Sequence, residues 1–211
     1  MALDVYRLER ANAERQLILL HGWSAEQHHL AAYVPLVDPD ERFTAACPRA
    51  PHDLDEGDGA SWYERTSTGG DPESFAEAVE KVAAFVDGEM DRTGIGPERT
   101  VIGGFSQGGF LTLSLTLRAD APRFAGVWAM CCAINVIDRI ELDLSAGSGA
   151  GRPALIQYGR LDEIITPDRT TAAADSLEAA GWDVTTLGYE MAHSQTIEMM
   201  VDARTWLAAI D

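Results

Sequence analysis

The sequence predicts an α/β fold: a doubly wound, mostly parallel sheet of about seven strands with helices on both faces. Continuous apolar runs are the first observation, because strands that are covered on both faces do not alternate with polar residues. Segments with helical periodicity between these runs are the second observation. The runs are LILLHG (17–22), FTAACP (43–48), TVIGGF (100–105), FAGVWAMCC (124–132) and ALIQYG (154–159), and the helical segments are 73–92, 107–119, 167–180 and 195–209.

Two further segments alternate more and are predicted to be edge strands: LDVYRL near the start and DVTTLGYE at 183–190. The segments 48–71 and 137–153 are rich in Gly, Asp or Ser and are predicted to be long loops. The first leaves the carboxyl end of its strand, where ligands bind in open α/β sheets, and the second is a candidate for a small flap. We expect a single domain over 1–211, without a large cap domain.

The helix at 167–180 has the boundary residues that helices favour. Thr166 can cap its start, Pro167 takes its first position, and Gly181 follows its last apolar residue.

Net charge restricts the classes of partner. The chain has 34 acidic and 16 basic side chains, a formal charge of −18, and Lys81 is its single lysine. An acidic field repels phosphate, so we expect neither nucleic acid nor anionic membrane surfaces as partners. An acidic, lysine-poor surface also fits a salt-rich cytoplasm, although a GC-rich genome favours Arg over Lys as well. Unfolding midpoints at low and at molar salt separate these interpretations.

The remaining composition predicts a cytoplasmic protein without cofactors. No apolar window of roughly 18 residues predicts a membrane span, and the start MALDVYRLERANAERQ carries charges where a signal peptide is apolar. The odd set Cys47, Cys131 and Cys132 lacks zinc-like spacing and lies in apolar runs, which favours buried, reduced thiols. We predict no metal and no organic cofactor, and homodimerisation is left open.

The stretch GFSQG, Gly104 to Gly108, places a serine between a predicted strand and a predicted helix. This context is typical of a nucleophile elbow, in which a sharp turn presents the serine above the sheet and its neighbours two positions away must be small. Ser106 is therefore the candidate nucleophile. The N–H of Gln107, at the helix start, is a candidate donor to an oxyanion. The alternative is a plain tight turn.

A hydroxyl needs a base, and the base needs an acid that fixes its tautomer. Asp162 follows the strand ALIQYG, and His193 follows the next predicted strand, so both are expected at the same edge of the sheet as Ser106. The competing acids, for which other roles are predicted, are Glu163 and Asp168. The competing histidines, predicted to be structural, on the surface or in the long loop, are His21, His28, His29 and His52.

The second oxyanion donor is expected in the loop after LILLHG. Gly22 would permit an unusual backbone path there, and the N–H of Trp23 is the first candidate, with Ser24 as the alternative. The side chain of Trp23 is equally compatible with a core aromatic.

The motifs LLHGW, GFSQGG, GRLDEIITP and EMAHS together resemble the phospholipase/carboxylesterase branch of α/β-hydrolases, which includes acyl-protein thioesterases. The resemblance implies an α/β-hydrolase fold, the triad order serine, acid, histidine, and no cofactor. By this similarity the triad is Ser106, Asp162 and His193, and Trp23 and Gln107 are the oxyanion donors. Trp62 in GASWYE is similar to a tryptophan of the family. The candidate substrate contacts are Ser24, Trp62 and Ile165.

We therefore predict a serine carboxylesterase that hydrolyses small-molecule esters or thioesters of short to medium acyl chain through an acyl-enzyme. Two alternatives are a non-catalytic ligand-binding protein with the same fold and an enzyme of the acyl-protein thioesterase or lysophospholipase type. A dienelactone-type reaction would need cysteine at the elbow, where this chain has Ser106.

Overall fold

A computed structural model describes residues 3–55, 57, 59–67 and 69–210. Its strands are β1 Val5–Leu8, β2 Arg15–Leu20, β3 Phe43–Pro48, β4 His52–Asp53, β5 Ala60–Ser61, β6 Arg65–Thr66, β7 Gly69–Gly70, β8 Thr100–Phe105, β9 Gly126–Met130, β10 Pro153–Gly159 and β11 Asp183–Tyr189. Its α-helices are α1 Gln27–Ala31, α2 Val34–Val37, α3 Pro72–Thr93, α4 Gln107–Thr116, α5 Pro167–Ala179 and α6 Ile197–Ala209, with a 3₁₀ turn at Pro97–Arg99.

Seven strands form the main sheet in the order β1-β3-β2-β8-β9-β10-β11. Strand β1 runs antiparallel to β3, and every other neighbouring pair is parallel. The strands β3, β8 and β9 are buried at every residue, whereas the edge strands β1 and β11 are largely half-buried or exposed. The mostly parallel seven-stranded sheet and both predicted edge strands are therefore confirmed.

The core lies on both faces of this sheet, which explains why the central strands are continuously apolar. On one face α3, α4 and α5 contribute Phe75, Leu111 and Leu177. On the other face α1 and α6 contribute Leu30 and Met199. The four helical segments of the sequence correspond to α3, α4, α5 and α6, whereas the short helices α1 and α2 lie outside the predicted segments.

The helix ends follow local chemistry. Asp71 caps α3 by accepting a hydrogen bond from the N–H of Ser74 at 2.8 Å. Helix α5 ends at Ala179, and the φ of +91° at Gly181 lets the next N–H, that of Trp182, bond back to the carbonyl of Leu177 at 3.0 Å. Thr166 occupies the N-cap of α5, but its side chain makes no capping hydrogen bond.

The two predicted loops differ from expectation. Segment 48–71 contains two short hairpins, β4 with β5 and β6 with β7, in place of an irregular loop. Segment 137–153 connects the end of β9 to the start of β10, and it bonds to the C-terminal ends of α4 and α5 through Asp143 N to Leu117 O (2.8 Å) and Gly149 N to Ala180 O (2.8 Å). Those helix ends lie at the edge opposite the strands' carboxyl ends, so the flap prediction is wrong.

Among the described helices, none has the length and apolar character that crossing a bilayer requires.

Candidate active site

Ser106 lies in a strained turn between β8 and α4. Its φ is 51° and its ψ is −117°, and α4 begins at the next residue. Such a conformation costs about 1–3 kcal/mol and persists only where the surroundings impose it. A Cβ on Gly108 would lie 2.0 Å from the carbonyl oxygen of Leu20, and one on Gly104 would lie 2.4 Å from the backbone of Gly108. Both positions therefore require glycine, as the elbow hypothesis predicts.

The structure brings Ser106, His193 and Asp162 together in one hydrogen-bonded chain. His193 Nε2 lies 2.8 Å from Ser106 Oγ, and His193 Nδ1 lies 2.7 Å from Asp162 Oδ2. A carboxylate only accepts, so Nδ1 carries the proton and Nε2 is free to accept one from the serine hydroxyl. The side chain of Asp162 is fully buried and that of His193 is 13% exposed. The hydrogen-bonded chain of three residues is therefore accessible to solvent from its serine end.

The loops after β10 and β11 hold the acid and the base. Asp162 Oδ1 accepts hydrogen bonds from the N–H groups of Ile164 and Ile165, both at 2.9 Å, which leaves Oδ2 for the histidine. The N–H of Leu161 bonds to the carbonyl of Met191 at 3.0 Å, which ties the acid loop to the histidine loop. Parallel strands end at the same edge of the sheet, and this topology brings residues 31 positions apart into contact.

The competing acids lie elsewhere. Glu163 and Asp168 are exposed. Asp168 lies in the first turn of α5, and its hydrogen bond with Thr166 lowers the pKa of its carboxyl group. The sequence predicts this position for Asp168, where its carboxylate interacts favourably with the helix dipole.

The competing histidines also lie outside this chain of hydrogen bonds. His21 is buried, its Nε2 accepts the N–H of Ala50 at 3.0 Å, and burial lowers the pKa of its imidazole to about 4. Its predicted structural role is confirmed. His28 and His29 belong to the surface helix α1, and His52 is exposed on β4.

The backbone amides near Ser106 separate the two candidates for the second oxyanion donor. Within the described part of the chain, no acceptor takes the N–H of Trp23 or of Gln107. The N–H of Ser24, by contrast, donates to the carbonyl of Ala60 at 3.0 Å. Ser24 is therefore excluded as the alternative donor, because its N–H is already used.

The loop after β2 differs from expectation in two ways. The unusual backbone is at Ser24, with φ of 63°, whereas Gly22 is required because a Cβ there would lie 2.8 Å from the ring of Phe105. The side chain of Trp23 is 43% exposed, and the guanidinium of Arg65 lies 4.8 Å from its ring centre. The core-aromatic interpretation of Trp23 is therefore wrong.

Two predicted substrate contacts are buried. Trp62 is 1% exposed, and its Nε1 donates to the carbonyl of His21 at 2.8 Å. Ile165 packs in the hydrophobic core, and its contribution to the site is the N–H that holds Asp162. Both side chains are apolar and covered, so neither is available to a substrate. Ser24 is exposed and stays a predicted contact.

Cys131 lies at the site although the sequence reasoning does not place it there. It directly follows β9 with φ of 48°, and its Sγ lies with ligand atoms of Asp162 and His193 in a group whose members are all within 4.8 Å of one another. Burial, followed by the charge of Asp162, raises the pKa of this thiol to about 12. A protonated thiol is a poor metal ligand, and the imidazole and carboxylate already bond to each other. Its position directly after a central strand is the sequence signal that would have placed Cys131 at the site.

A cleft of about 650 Å³ lies beside the oxyanion candidates. It is connected to the elbow through Ser61, which contacts the side chain of Gln107. The residues that line it belong to the loop after β2 and to the two hairpins: Trp23, His52, Asp53, Leu54, Asp55, Ser61, Tyr63, Glu64, Arg65 and Thr66. Its lining includes Trp23 but not Ser106 or His193, so the cleft adjoins the site on the side of the oxyanion candidates and does not contain the nucleophile or the base.

The structure is similar to solved esterases. It superimposes on esterase PE8 with a TM-score of 0.86 at 23% identity, covering 100% of both chains. It superimposes on a carboxylesterase from Mesorhizobium loti with a TM-score of 0.80 at 24% identity, covering 94% of this chain and 90% of the other. At these identities the likeness establishes the fold.

Curated relatives match over part of their length. Acyl-protein thioesterase 1 of Gibberella zeae is 27% identical over 158 residues, 69% of this chain and 66% of the relative. Lysophospholipase-like protein 1 of Mus musculus is 31% identical over 108 residues, 49% of this chain and 44% of the relative. The chain thus spans slightly less than two thirds of the length of the first relative and less than half of the length of the second.

The family match covers nearly the whole chain. A model of the family described as phospholipase/carboxylesterase matches residues 7–210. Together with the seven-stranded sheet, this match establishes that the chain belongs to the phospholipase/carboxylesterase family and has the α/β-hydrolase fold.

Proposed function

We propose that the chain is a serine carboxylesterase that hydrolyses esters or thioesters of short to medium acyl chain through an acyl-enzyme intermediate. The observation that carries this proposal is the pair of hydrogen bonds that joins Ser106 through His193 to Asp162. Membership of the phospholipase/carboxylesterase family supports the same reaction class.

In the proposed reaction, Ser106 Oγ attacks the acyl carbonyl while His193 Nε2 takes the hydroxyl proton. The proton then passes to the leaving alcohol or thiol, and a water molecule activated by the same nitrogen releases the acid. Asp162 holds the imidazole in the required tautomer, a role that resembles that of the acid in other triads. The N–H groups of Trp23 and Gln107 donate to the oxygen of the tetrahedral intermediate, and each such donor typically contributes about 2.7–4 kcal/mol.

Apolar side chains on the strand-end loops favour an uncharged acyl group. Among the described residues, most of the exposed large hydrophobic side chains lie on the loops that follow β2, β9 and β10 or at the start of α6: Trp23 (43%), Val136 (77%), Leu161 (61%), Ile164 (63%) and Ile197 (62%). The net charge of −18 disfavours anionic substrates. Two curated relatives are named acyl-protein thioesterase 1, so thioesters belong among the substrates to be tested.

The test is hydrolysis by the Ser106→Ala variant of p-nitrophenyl esters and acyl thioesters of increasing chain length. We expect loss of turnover by at least about 10³-fold with an unchanged thermal midpoint, because the base then has no nucleophile to activate. Ser176→Ala, a half-buried serine of α5 whose hydroxyl donates to the carbonyl of Ala172, is the matched control and should retain full activity.

Labelling with a fluorophosphonate distinguishes the non-catalytic alternative, since only an activated serine reacts. The parent protein should be labelled at Ser106 and the alanine variant should not. A parent protein that neither reacts with the probe nor hydrolyses any ester or thioester would support a binding protein, and hydrolysis by Ser106→Ala at the parent rate would exclude the proposed nucleophile.

A further inference from the structure

We propose that the side chain of Gln107 is a positioning residue that fixes the location of the second oxyanion donor, the N–H of Trp23. This inference rests on the proposed function and goes beyond it. In the proposed reaction Gln107 contributes its backbone N–H. Its side-chain amide has a second role, because it connects the elbow to the loop that carries Trp23.

The amide of Gln107 is buried and fully bonded to one segment, residues 61–63. Its Oε1 accepts the N–H of Trp62 at 3.0 Å. Its Nε2 donates to Ser61 Oγ at 3.1 Å and to the carbonyl of Tyr63 at 3.3 Å. A backbone N–H only donates, so the bond from Trp62 fixes the orientation of the amide. Ser61 Oγ donates in turn to the carbonyl of Tyr63 at 2.6 Å, which closes the network.

The same segment holds the loop that contains Trp23. The N–H of Ser24 donates to the carbonyl of Ala60, and the N–H of Ala60 donates to the carbonyl of Ala25, both at 3.0 Å. The indole of Trp62 donates to the carbonyl of His21 at 2.8 Å. Residues 21–25 are therefore bonded on both sides of Trp23 to the strip of chain that Gln107 holds.

Close packing between residues 59–62 and the loop that carries Trp23 keeps the two segments from moving independently. A Cβ on Gly59 would lie 2.3 Å from the carbonyl oxygen of Ser24, so the two backbones are in contact. Among the described residues, the backbone hydrogen bonds of Ser24 and Ala25 reach only Ala60 and Gly22. The position of the Trp23 N–H consequently depends on where residues 60–62 lie, and the Gln107 amide sets that position relative to Ser106.

A positioning role predicts a loss in kcat with little change in KM. The oxyanion forms only in the transition state, so a displaced donor weakens transition-state binding and leaves ground-state binding unchanged. A misplacement near 1 Å is enough for a loss of about 10²-fold. A merely structural role would lower the thermal midpoint without this selective effect.

The experiment uses Gln107→Met, which keeps the backbone N–H and the approximate side-chain length but removes all three amide hydrogen bonds. On p-nitrophenyl butyrate we expect kcat to fall about 10- to 100-fold, with KM within about 3-fold of the parent value. The Ki of a trifluoromethyl ketone, which mimics the tetrahedral state, should rise by the same factor. Thr116→Val, which removes a buried hydroxyl at the other end of the same helix, is the control and should change neither value appreciably.

A second variant, Ser61→Ala, keeps the inference testable if Gln107→Met folds poorly. It removes one hydrogen-bond partner of the amide, so by itself it should lower kcat, less than Gln107→Met does, with KM within about 3-fold of the parent value. Where Gln107→Met folds, the double variant should lose no more than about 3-fold beyond Gln107→Met alone, because both changes release the same segment. Gln107→Glu should be impaired as well, since a carboxylate accepts from Trp62 but donates nothing to Tyr63.

The outcomes separate the two proposals. If Ser106→Ala is inactive but Gln107→Met keeps the parent kcat, or changes KM and kcat in proportion, only the positioning role is overturned. Fully additive losses from Gln107→Met and Ser61→Ala overturn it as well. If Ser106→Ala keeps the parent rate, the proposed function fails and the positioning role fails with it.

Discussion

Two neighbouring strand ends, those of β8 and β9, have the same backbone irregularity and opposite chemistry. Ser106 and Cys131 each directly follow a central parallel strand, with φ of 51° and 48°. Helix α4 begins immediately after Ser106, which leaves the N–H of Gln107 without an acceptor in the described residues. The N–H groups of Ser106 and Cys131 themselves are used alike, since each bonds to a carbonyl of the next strand in the sheet, that of Met130 at 2.9 Å and that of Gln157 at 2.8 Å. After Cys131 the chain continues without a helix, and its thiol faces the carbonyl of Ser194. The two residues therefore share their backbone geometry and differ in what their side chains meet.

Intrinsic nucleophilicity does not decide between these two residues. A thiolate attacks more readily than a hydroxyl, but Cys131 is fully buried and burial raises the pKa of its thiol to about 12, so it stays protonated. Ser106 Oγ lies 2.8 Å from an imidazole nitrogen that can accept its proton. The comparison thus predicts that changes around Ser106 are costly and that changes around Cys131 are mild.

The largest expected effect is that of Asp162→Asn. An amide that presents its NH₂ to His193 would favour the wrong tautomer of the imidazole, so kcat should fall about 10³- to 10⁴-fold. Steady-state kinetics on p-nitrophenyl esters checks this, with the exposed neighbour Glu163→Gln as the matched control. A loss shared equally by both variants would mean that local charge, and not the tautomer, is responsible.

The next effect, that of Gly108→Ala, tests the elbow itself. The added Cβ would lie 2.0 Å from the carbonyl oxygen of Leu20 and 2.7 Å from that of His21, so β2 and α4 must separate. We expect at least about a 10²-fold loss of kcat/KM and destabilisation of about 3 kcal/mol in urea unfolding. Gly88→Ala is the control on α3, where the added methyl group would meet no atom within 4 Å, and it should be neutral or stabilising by up to about 1 kcal/mol. Equal behaviour of the two variants would contradict the steric argument.

The contrast also shows which features a sequence can reveal. The elbow, the acid and the histidine are predictable because each lies directly after an apolar strand, and a parallel sheet places those ends at one edge. The short helices α1 and α2 are not predictable in this way, because four or five residues carry no readable period. The positive φ values at Ser24 and Cys131 fall on residues other than glycine, so nothing in the sequence marks them.

Burial of the aromatic residues also depends on tertiary contacts. Trp23 and Trp62 are both tryptophans in loops next to the sheet, yet the first is 43% exposed and the second is 1% exposed. The difference comes from packing, because Trp62 belongs to the hydrophobic core and its indole donates to the carbonyl of His21, 41 positions away. Composition and spacing do not predict such a contact, whereas they do predict the strands of the sheet and the residues that directly follow them.

A smaller effect concerns His21, whose carbonyl and imidazole support the Ser106 side of the comparison. Burial lowers the pKa of this imidazole from 6.5 to about 4. Below pH 6.5 the unfolded chain therefore binds a proton at His21, whereas the folded chain binds it only below about pH 4. The contribution of His21 to the free energy of unfolding is fully present above pH 6.5 and is lost as the pH falls between these values. The loss attributable to His21 should be about 3 kcal/mol at most.

Urea unfolding of the parent and of His21→Gln, measured from pH 7.5 to 4, checks this contribution. Glutamine offers an oxygen to the N–H of Ala50 but does not titrate, so its stability should fall less steeply with acidification. Burial also lowers the pKa of His29, in both proteins alike, so the difference between the two slopes isolates His21. Parallel slopes would show that His21 does not contribute.

The smallest expected effect is at the other strand end. Cys131→Ala removes a buried sulfur that bonds weakly to the carbonyl of Ser194 at 3.7 Å, so kcat/KM should stay within about 3-fold of the parent and stability should fall by only about 1 kcal/mol. Iodoacetamide should leave Cys131 unmodified in the native protein at pH 8 and alkylate it in denaturant, because the native thiol is both covered and protonated. Mass spectrometry of the peptide containing residue 131 distinguishes the two states. Rapid native alkylation accompanied by loss of activity would show that the β9 strand end is open to solvent and close enough to the imidazole to matter, and the two strand ends would then differ less than their hydrogen bonds indicate.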